Sequence, residues 1–385
     1  MSSSSLSSHS IALQSTSHIF DARPRYPHLL TAKRYRAPSY ASPPGNSDPR
    51  QRQGERGVTL VLAHGSGFHK EHYEPVIEDL HRLIAVSSAT SRAAPRIDDI
   101  WAVDHPSHGE AAILNEEAFH RQGRMDDGAR EYGRALHAFL TLPNAGIDVD
   151  FSKRRLVLVG HSMGAMAMYA PSGIHLTCTA WLISHLAASP PPRVFGRRGA
   201  GFRRSGAAER DQDVWGSREE AALFVKRGKM WAKWDPRVVE IFLAHGLRSL
   251  PTLKYPHGGA NGVTLTCTVD EEESTSRDVD GALKICESIR AVAEQCPTHL
   301  IYGAVNDVLS QELKNSLIAR AGGPRNLGSV VFVPGAGHLV NRSKSSFQTR
   351  REDLQYSQRP APVETPVLQD GAVVMTYTQI VLSEG

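Results

Sequence analysis

Short, mostly apolar runs punctuate the chain, each followed by small or turn-forming residues and then by a longer stretch of mixed polarity. Residues 58–63 run into His64-Gly65-Ser66-Gly67, 100–104 into His105-Pro106-Ser107-His108-Gly109, and 156–159 into Gly160-His161-Ser162-Met163-Gly164. Further along, 298–303 precede a loop holding Asp307, and 329–333 precede Pro334-Gly335-Ala336-Gly337-His338. Runs of this kind, rich in Val, Leu and Ile and bounded by turn residues, predict strands buried on both faces. Between them the pattern shifts to helical spacing. Helices are predicted over about 73–85, over 123–142 with Leu136, Phe139 and Leu140 on one face, over 279–294, and once more between 303 and 329. An extended segment is expected at 28–36, ahead of a loop rich in Pro, Ser, Gly and Arg at 37–57. Strands that alternate with helices predict an α/β fold whose mostly parallel, doubly wound sheet is covered on both faces.

The alternation stops after about residue 190. Three prolines and a Gly- and Arg-rich stretch at 193–210 open a segment that is helical in patches, carries Trp215, Trp231 and Trp234, and ends near Gly262. Inserted between sheet strands, the span 185–262 is expected to form a helical cap over the sheet's loops. Its tryptophans would either line a pocket or pack the cap's own core. The alternation is then expected to resume with a strand at 263–268. Two other stretches stand outside the frame: a Ser-rich leader at 1–28, read as loosely attached, and a polar insertion at about 341–361. The α/β frame is thus expected over 29–385, with no internal repeat.

Composition narrows the classes. At 40% hydrophobic and 22% charged residues the chain is globular, and no apolar run reaches the eighteen residues that argue for a membrane helix. A net charge of +4 is spread along the sequence without a basic stripe or interleaved aromatics, which argues against nucleic-acid binding. Four cysteines, none in a Cys-x-x-Cys pair, form no disulfide framework and are expected to pack as small apolar residues in a reducing compartment. The leader lacks an apolar core and early basic residues, so no secretory signal is read. The final residues are not of the Ser-Lys-Leu type, and an intracellular location, cytoplasmic or peroxisomal, is expected.

The chemistry gathers at Gly160-His161-Ser162-Met163-Gly164. A strand, a sharp turn and a small-residue helix lift a serine hydroxyl clear of the backbone, and glycines two positions either side leave room for the turn. Gly-x-Ser-x-Gly also occurs by chance in loops, but here an apolar run precedes it and a helix-like run follows. A serine at its ordinary pKa is a poor nucleophile and needs a base, which in turn needs an orienting carboxylate. His338 and Asp307 each follow a predicted strand, in the chain order serine, acid, histidine. Taken singly, either is a turn residue or an N-cap. For the oxyanion, two backbone N–H donors are expected, one from Met163 and one from the loop after the first buried run, with Ser66 favoured and Gly67 the alternative. Gly65 and Gly67 lack a third glycine in register, so a dinucleotide loop is disfavoured.

These motifs resemble the α/β-hydrolase superfamily. Within it, residues 63–71, 104–109 and 160–164, together with 215–221 and 245–248, are similar to a fungal group that includes toxin-biosynthesis hydrolases and a yeast peroxisomal lipase. The resemblance implies an acyl ester or thioester of a small molecule as substrate, no metal and no organic cofactor. It also implies Ser162 as nucleophile, His338 as base and Asp307 as acid. Serine at 162 separates the chain from the epoxide hydrolases and haloalkane dehalogenases of the same fold. One departure is the polar stretch after Val340, which delays a Pro-x-Glu-x-Pro-like segment to 362–366 and motivates a rival reading as a catalytically silent binding scaffold. An acyltransferase is a second rival. Neither substrate identity nor oligomeric state follows from these residues.

Overall fold

The computed structural model describes residues 13–36, 57–90, 96–122, 128–169, 178–184, 213–229, 231–275, 277, 279–340, 355–358, 374–376 and 379–381. Among them, nine strands form one sheet. In chain order these are β1 (Gln14–Phe20), β2 (Leu30–Arg36), β3 (Val58–Ala63), β4 (Ile97–Val103), β5 (Arg155–His161) and β6 (Cys178–Ser184). The two-residue β7 (Val214–Trp215), β8 (Leu247–Ser249) and β9 (Val263–Leu265) lie elsewhere, and the sheet continues with β10 (Thr298–Gly303), β11 (Ser329–Val333) and β12 (Gln355–Gln358). The spatial order is β1-β2-β4-β3-β5-β6-β10-β11-β12. Strands β4 to β11 of that order pair in parallel, while β1, β2 and β12 add antiparallel edges.

The helices follow from the same hydrophobic logic: α1 (Glu74–Thr90), α2 (Gly109–Gln122), α3 (Gly128–Thr141), α4 (Met163–Tyr169), α5 (Arg218–Arg227), α6 (Pro236–His245), α7 (Val269–Ser274), α8 (Val279–Gln295) and α9 (Gln311–Arg320). Because successive strand residues face opposite ways, Leu60 and Leu62 of β3 join Tyr73, Ile77 and Leu80 in one core. Val61 and Ala63 join Tyr132, Leu136, Met166 and Ile289 in the other. The helix expected over 123–142 carries its buried face as predicted, with Leu136, Phe139 and Leu140 all in the core. Cys267, Cys286 and Cys296 are buried and unbridged. Among the described residues no helix is long and apolar enough to cross a membrane.

Register decides where the chemistry meets. Ala63 is level with Val103 on one side and with Gly160 on the other, so the loops that begin at His64, Asp104 and His161 leave the sheet at one height. Gly303 is level with Val333, and the loops bearing Asp307 and His338 leave together. A parallel sheet gathers such loops at the carboxyl ends of its strands.

Four expectations are corrected. The leader is not loosely attached through residue 28: Gln14–Phe20 pairs along its length with β2, and Phe20 is buried against Phe139 at 5.5 Å between ring centroids. Only its last residue is apolar and buried, so this edge strand shows no hydrophobic pattern; residues 1–12 lie outside the described ones. Helix α2 exposes Ile113 and Leu114 and buries small or polar residues, Gly109, Ala111, Ala112 and Asn115, so it escaped the periodicity reading. The strand expected at 263–268 to rejoin the main sheet is instead β9, the middle of a small sheet ordered β7-β9-β8. The cap is therefore mixed, with α5 and α6 packed on that sheet, and Trp215, Trp231 and Trp234 form its core with Val225 and Phe242. The expected cap's first residues, 185–212, including the Arg-rich stretch, lie outside the described residues. Last, the polar insertion at 341–361 contains β12, which pairs with Val330 to Phe332; the rest of it lies outside the described residues.

Candidate active site

Strand β5 ends in a turn where Ser162 has φ +53, a left-handed backbone that costs a side-chain-bearing residue about 1–3 kcal/mol. The sequence permits it through its glycines. A Cβ on Gly160 would stand 2.5 Å from the Cα of Ala165, and one on Gly164 would stand 2.2 Å from the carbonyl of Ala63. The turn lets α4 begin at once with Met163, so the backbone N–H of Met163 belongs to the elbow itself.

His338 meets the serine. Its Nε2 lies 3.1 Å from Ser162 Oγ, within hydrogen-bond reach, and the residue is buried. The loop that carries it is held from three directions. His161 donates from Nε2 to the carbonyl of His338 at 3.0 Å. Asp307 Oδ1 accepts the backbone N–H of His338 at 2.8 Å and that of Val308 at 2.7 Å. The Asp307 carboxylate packs so closely on Gly337 that a Cβ there would come within 1.9 Å of Oδ2. Lys314, buried on α9, ties down the Asp307 loop by donating to Gly303 O at 2.6 Å and Asn306 Oδ1 at 2.9 Å. Burial lowers the proton affinity of that ammonium, and the nearby Asp307 opposes the change.

The loop after β3 arches over the elbow. A Cβ on Gly65 would lie 2.6 Å from His161 Nδ1 and 3.2 Å from Ser162 Cβ, so only glycine fits. Phe68 N–H closes a turn onto Gly65 O at 3.3 Å, with Gly67 at φ +77 in the third position, as a type II turn requires. Ser66 Oγ bonds Thr275 Oγ1 at 2.7 Å, just past α7. The Gly67 N–H is engaged by His108 Nε2 at 3.0 Å, which leaves Ser66 as the oxyanion donor to consider from this loop.

Behind it lies a buried ionic cluster. Lys70 Nζ bonds Glu71 Oε1 at 2.9 Å, Asp104 Oδ2 at 2.9 Å and Glu110 Oε2 at 2.7 Å. Burial alone would lower the Lys70 pKa, but the three carboxylates outweigh it and hold the ammonium charged. Glu71 is likewise raised by burial but brought well below the carboxylate range by His69 and Lys70. Removing Glu71 or Asp104, both buried, would strand buried charge at a cost of about 3–5 kcal/mol. Among the described residues no group of three or more His, Cys, Asp or Glu is arranged to hold a metal ion.

Of the five expected site residues, Ser66, Ser162, Asp307 and His338 lie on loops or turns that follow β3, β5, β10 and β11 at one end of the sheet, and Met163 opens α4 directly after the Ser162 turn. Sequence reasoning missed His161, Lys314 and His108. Only the strand-following placement of His161 and His108 within small-residue motifs could have signalled them; for Lys314 no local signal exists.

A parallel sheet with a serine elbow, a histidine within reach of it and a capping insertion is the framework of one enzyme family. Residues 60–346 match the model of the alpha/beta hydrolase family, and the chain belongs to it. Among curated proteins it is similar to a type I acyl-CoA thioesterase, mpaH, of Penicillium roqueforti, at 30% identity over 204 residues. The corresponding protein of Penicillium brevicompactum is 31% identical over 201 residues. Each match covers 52% of this chain and 42% of the relative, so the matched region spans less than half of those proteins. Among solved structures, the peroxisomal alpha-beta-hydrolase Lpx1 of Saccharomyces cerevisiae superposes with a TM-score of 0.61 at 16% identity, covering 86% of this chain and 85% of that one. An E-2-(acetamidomethylene)succinate hydrolase gives 0.55 at 14% identity, over 87% and 96%. These likenesses bear on the fold.

Proposed function

We propose that this protein is a serine hydrolase that cleaves an acyl thioester or ester of a small molecule through an acyl-enzyme. The observation that carries the reading is the 3.1 Å approach of His338 Nε2 to Ser162 Oγ at a backbone turn with positive φ. His338 takes the hydroxyl proton as Ser162 Oγ attacks the acyl carbon, and the carbonyl π electrons move onto oxygen. The backbone N–H groups of Met163 and Ser66 stabilise that oxyanion. Collapse breaks the carbon–sulfur or carbon–oxygen bond, and the leaving thiol or alcohol receives the proton from His338. Water, deprotonated by the same ring, then attacks the acyl-enzyme and releases the acid. Asp307 holds the His338 loop and stabilises the charged imidazole.

Thioesters are placed first because the curated relatives bear the name acyl-CoA thioesterase. The silent-scaffold reading rested on the insertion after His338 displacing the histidine, and the hydrogen-bonding distance to Ser162 weighs against it. The test is treatment of the full chain with a fluorophosphonate, peptide mapping of the adduct, and intact-mass and thiol-release assays on a panel of acyl-CoA thioesters and p-nitrophenyl esters. An adduct on Ser162 with release of free acid is expected. An unlabelled protein sinks the mechanism, and transfer to an added alcohol in place of water makes the chain an acyltransferase.

A further inference from the structure

The motif Asp104-His105-Pro106-Ser107-His108-Gly109 has no part in the nucleophile, the base or the acid. Its contacts nevertheless run, one after another, to the loop that follows β3. His105 N–H donates to His64 Nε2 at 3.1 Å, Gly67 N–H donates to His108 Nε2 at 3.0 Å, and Lys70 N–H donates to Asp104 Oδ1 at 2.8 Å. The equal heights of Ala63 and Val103 in the sheet make this ladder possible.

His108 is the rung that touches the turn itself. An imidazole nitrogen that accepts an N–H carries no proton, so the ring is neutral with its proton on Nδ1. The neighbours agree on that assignment. His108 Nδ1 faces Ser107 Oγ at 3.1 Å and His105 Nδ1 at 3.2 Å, and His105 Nδ1 already accepts the N–H of Ser107 at 3.1 Å. As an acceptor of that N–H, His105 Nδ1 carries no proton, so the His108 Nδ1 proton faces a nitrogen lone pair that it shares with Ser107. Both rings are fully buried, and burial drives their proton affinities well below the ordinary histidine value, with His108 adding to the shift at His105 and His64 and His69 adding to that at His108.

The consequence falls on one peptide plane. In a trans peptide the N–H of Gly67 and the carbonyl of Ser66 point in opposite directions. Flipping that plane would convert the type II turn to type I and aim the Ser66 carbonyl at the His108 lone pair, a repulsive pairing. The His108 lone pair therefore selects the turn with positive φ at Gly67, while His161 beneath Gly65 fixes the turn's other end. Ser66 sits between these two anchors.

We infer that His108 is a positioning residue for the oxyanion loop: its Nε2 lone pair holds the Gly67 N–H and so keeps residues 65–67 in the turn that presents the Ser66 N–H to the reacting oxygen. The inference rests on the reading of Ser162 as nucleophile. It is tested with His108→Gln, whose amide oxygen reaches the position of Nε2, His108→Asn, whose shorter amide does not, and His108→Phe, which fills the space without an acceptor. The readouts are kcat and KM on p-nitrophenyl butyrate, the rate of fluorophosphonate labelling at Ser162, and Tm. His108→Phe and His108→Asn are expected to lower kcat and labelling about tenfold or more with KM within about threefold, since a misplaced oxyanion donor costs transition-state binding. His108→Gln is expected to recover most of that loss. Should His108→Phe not fold, the contrast between the two amides, which share chemistry and differ in reach, decides the matter. Equal losses in both, or wild-type rates in both, overturn the positioning role. A wild-type protein that takes no label at Ser162 overturns the nucleophile assignment, and this inference with it.

Discussion

A serine at φ +53 is a strained residue, tolerated because Gly160 and Gly164 clear the backbone around it and because His338 Nε2 waits 3.1 Å from its hydroxyl. Replacing Ser162 with Ala would remove the proposed nucleophile and little volume. Thioester and ester hydrolysis is expected to drop by about 10³-fold or more with Tm unchanged, and a variant within tenfold of wild type would refute the mechanism. Asp307→Asn is a sharper test. The amide oxygen can still accept the N–H groups of His338 and Val308, so the loop stays in place, but the charge that the proposed mechanism uses to stabilise the imidazolium is gone. A loss in kcat of about 10⁴-fold in a folded protein is expected; an unchanged kcat would reduce Asp307 to a brace for the loop. The placement of Ser162, Asp307 and His338 was legible because each follows a buried run in a fixed chain order. His161 was not, because its partner carbonyl is 177 residues away, and nothing local to either residue encodes that meeting.

Elements were legible where burial on both faces marked them. Val58–Ala63 and Thr298–Gly303 are fully buried strands, and both matched the hydrophobic runs residue for residue. Elements whose partners lie on one side only were misread. Gln14–Phe20 exposes most of its length, and Gln355–Gln358 is polar enough to pass for a loop. Val263–Leu265 is buried like a core strand, yet pairs with Arg248 and Val214 in the cap, because an apolar run does not say which sheet it will join. The strand β12 carries a prediction: deleting 341–361 to join Val340 to Pro362 removes the strand that covers the edge of β11. The deletion variant is expected to melt a few degrees lower, each kcal/mol being worth about 1–2 °C in a chain of this size. A Tm at or above wild type would show that the pairing adds no stability. In the cap, Trp231 lies 4.3 Å from Trp234 and 4.5 Å from Phe242 between ring centroids, which settles the earlier alternative for these tryptophans in favour of packing.

Over the whole molecule, the abundance of buried neutral histidines sets the acid limit. Burial brings His299 down to about 4 from its ordinary 6.5, and holds His105 and His108 well below that ordinary value. The unfolded chain binds a proton at each of these rings as pH falls through 6.5, whereas the folded chain does not bind one at His299 until about pH 4. The unfolded state thus holds more protons, and stability rises with pH across this window, by at most about 1.4 kcal/mol per pH unit for each histidine. Urea midpoints are therefore expected to fall steadily from pH 7 to pH 4.5. His299→Gln, which removes one such proton, is expected to flatten that slope, and an unchanged slope would mean that His299 titrates alike in both states.

What the chain alone determined is the framework and the positions of the candidate reactive groups within it. Apolar runs are buried wherever they fold, and a strand buried on both faces between helices has few destinations other than a parallel sheet. The loops at the ends of such strands inherit the chemistry of the residues written there. What only the tertiary structure decided is every relation that depends on lateral position. Strand order and register brought the Asp104 motif beside the Gly65 turn, settled that the Gly67 N–H belongs to His108, and assigned β9 to the cap. The physical reason is that hydrophobic burial is non-directional and readable from composition along a segment, whereas a hydrogen bond needs two groups about 3 Å apart. Which groups those are is known only once the sheet has set their heights.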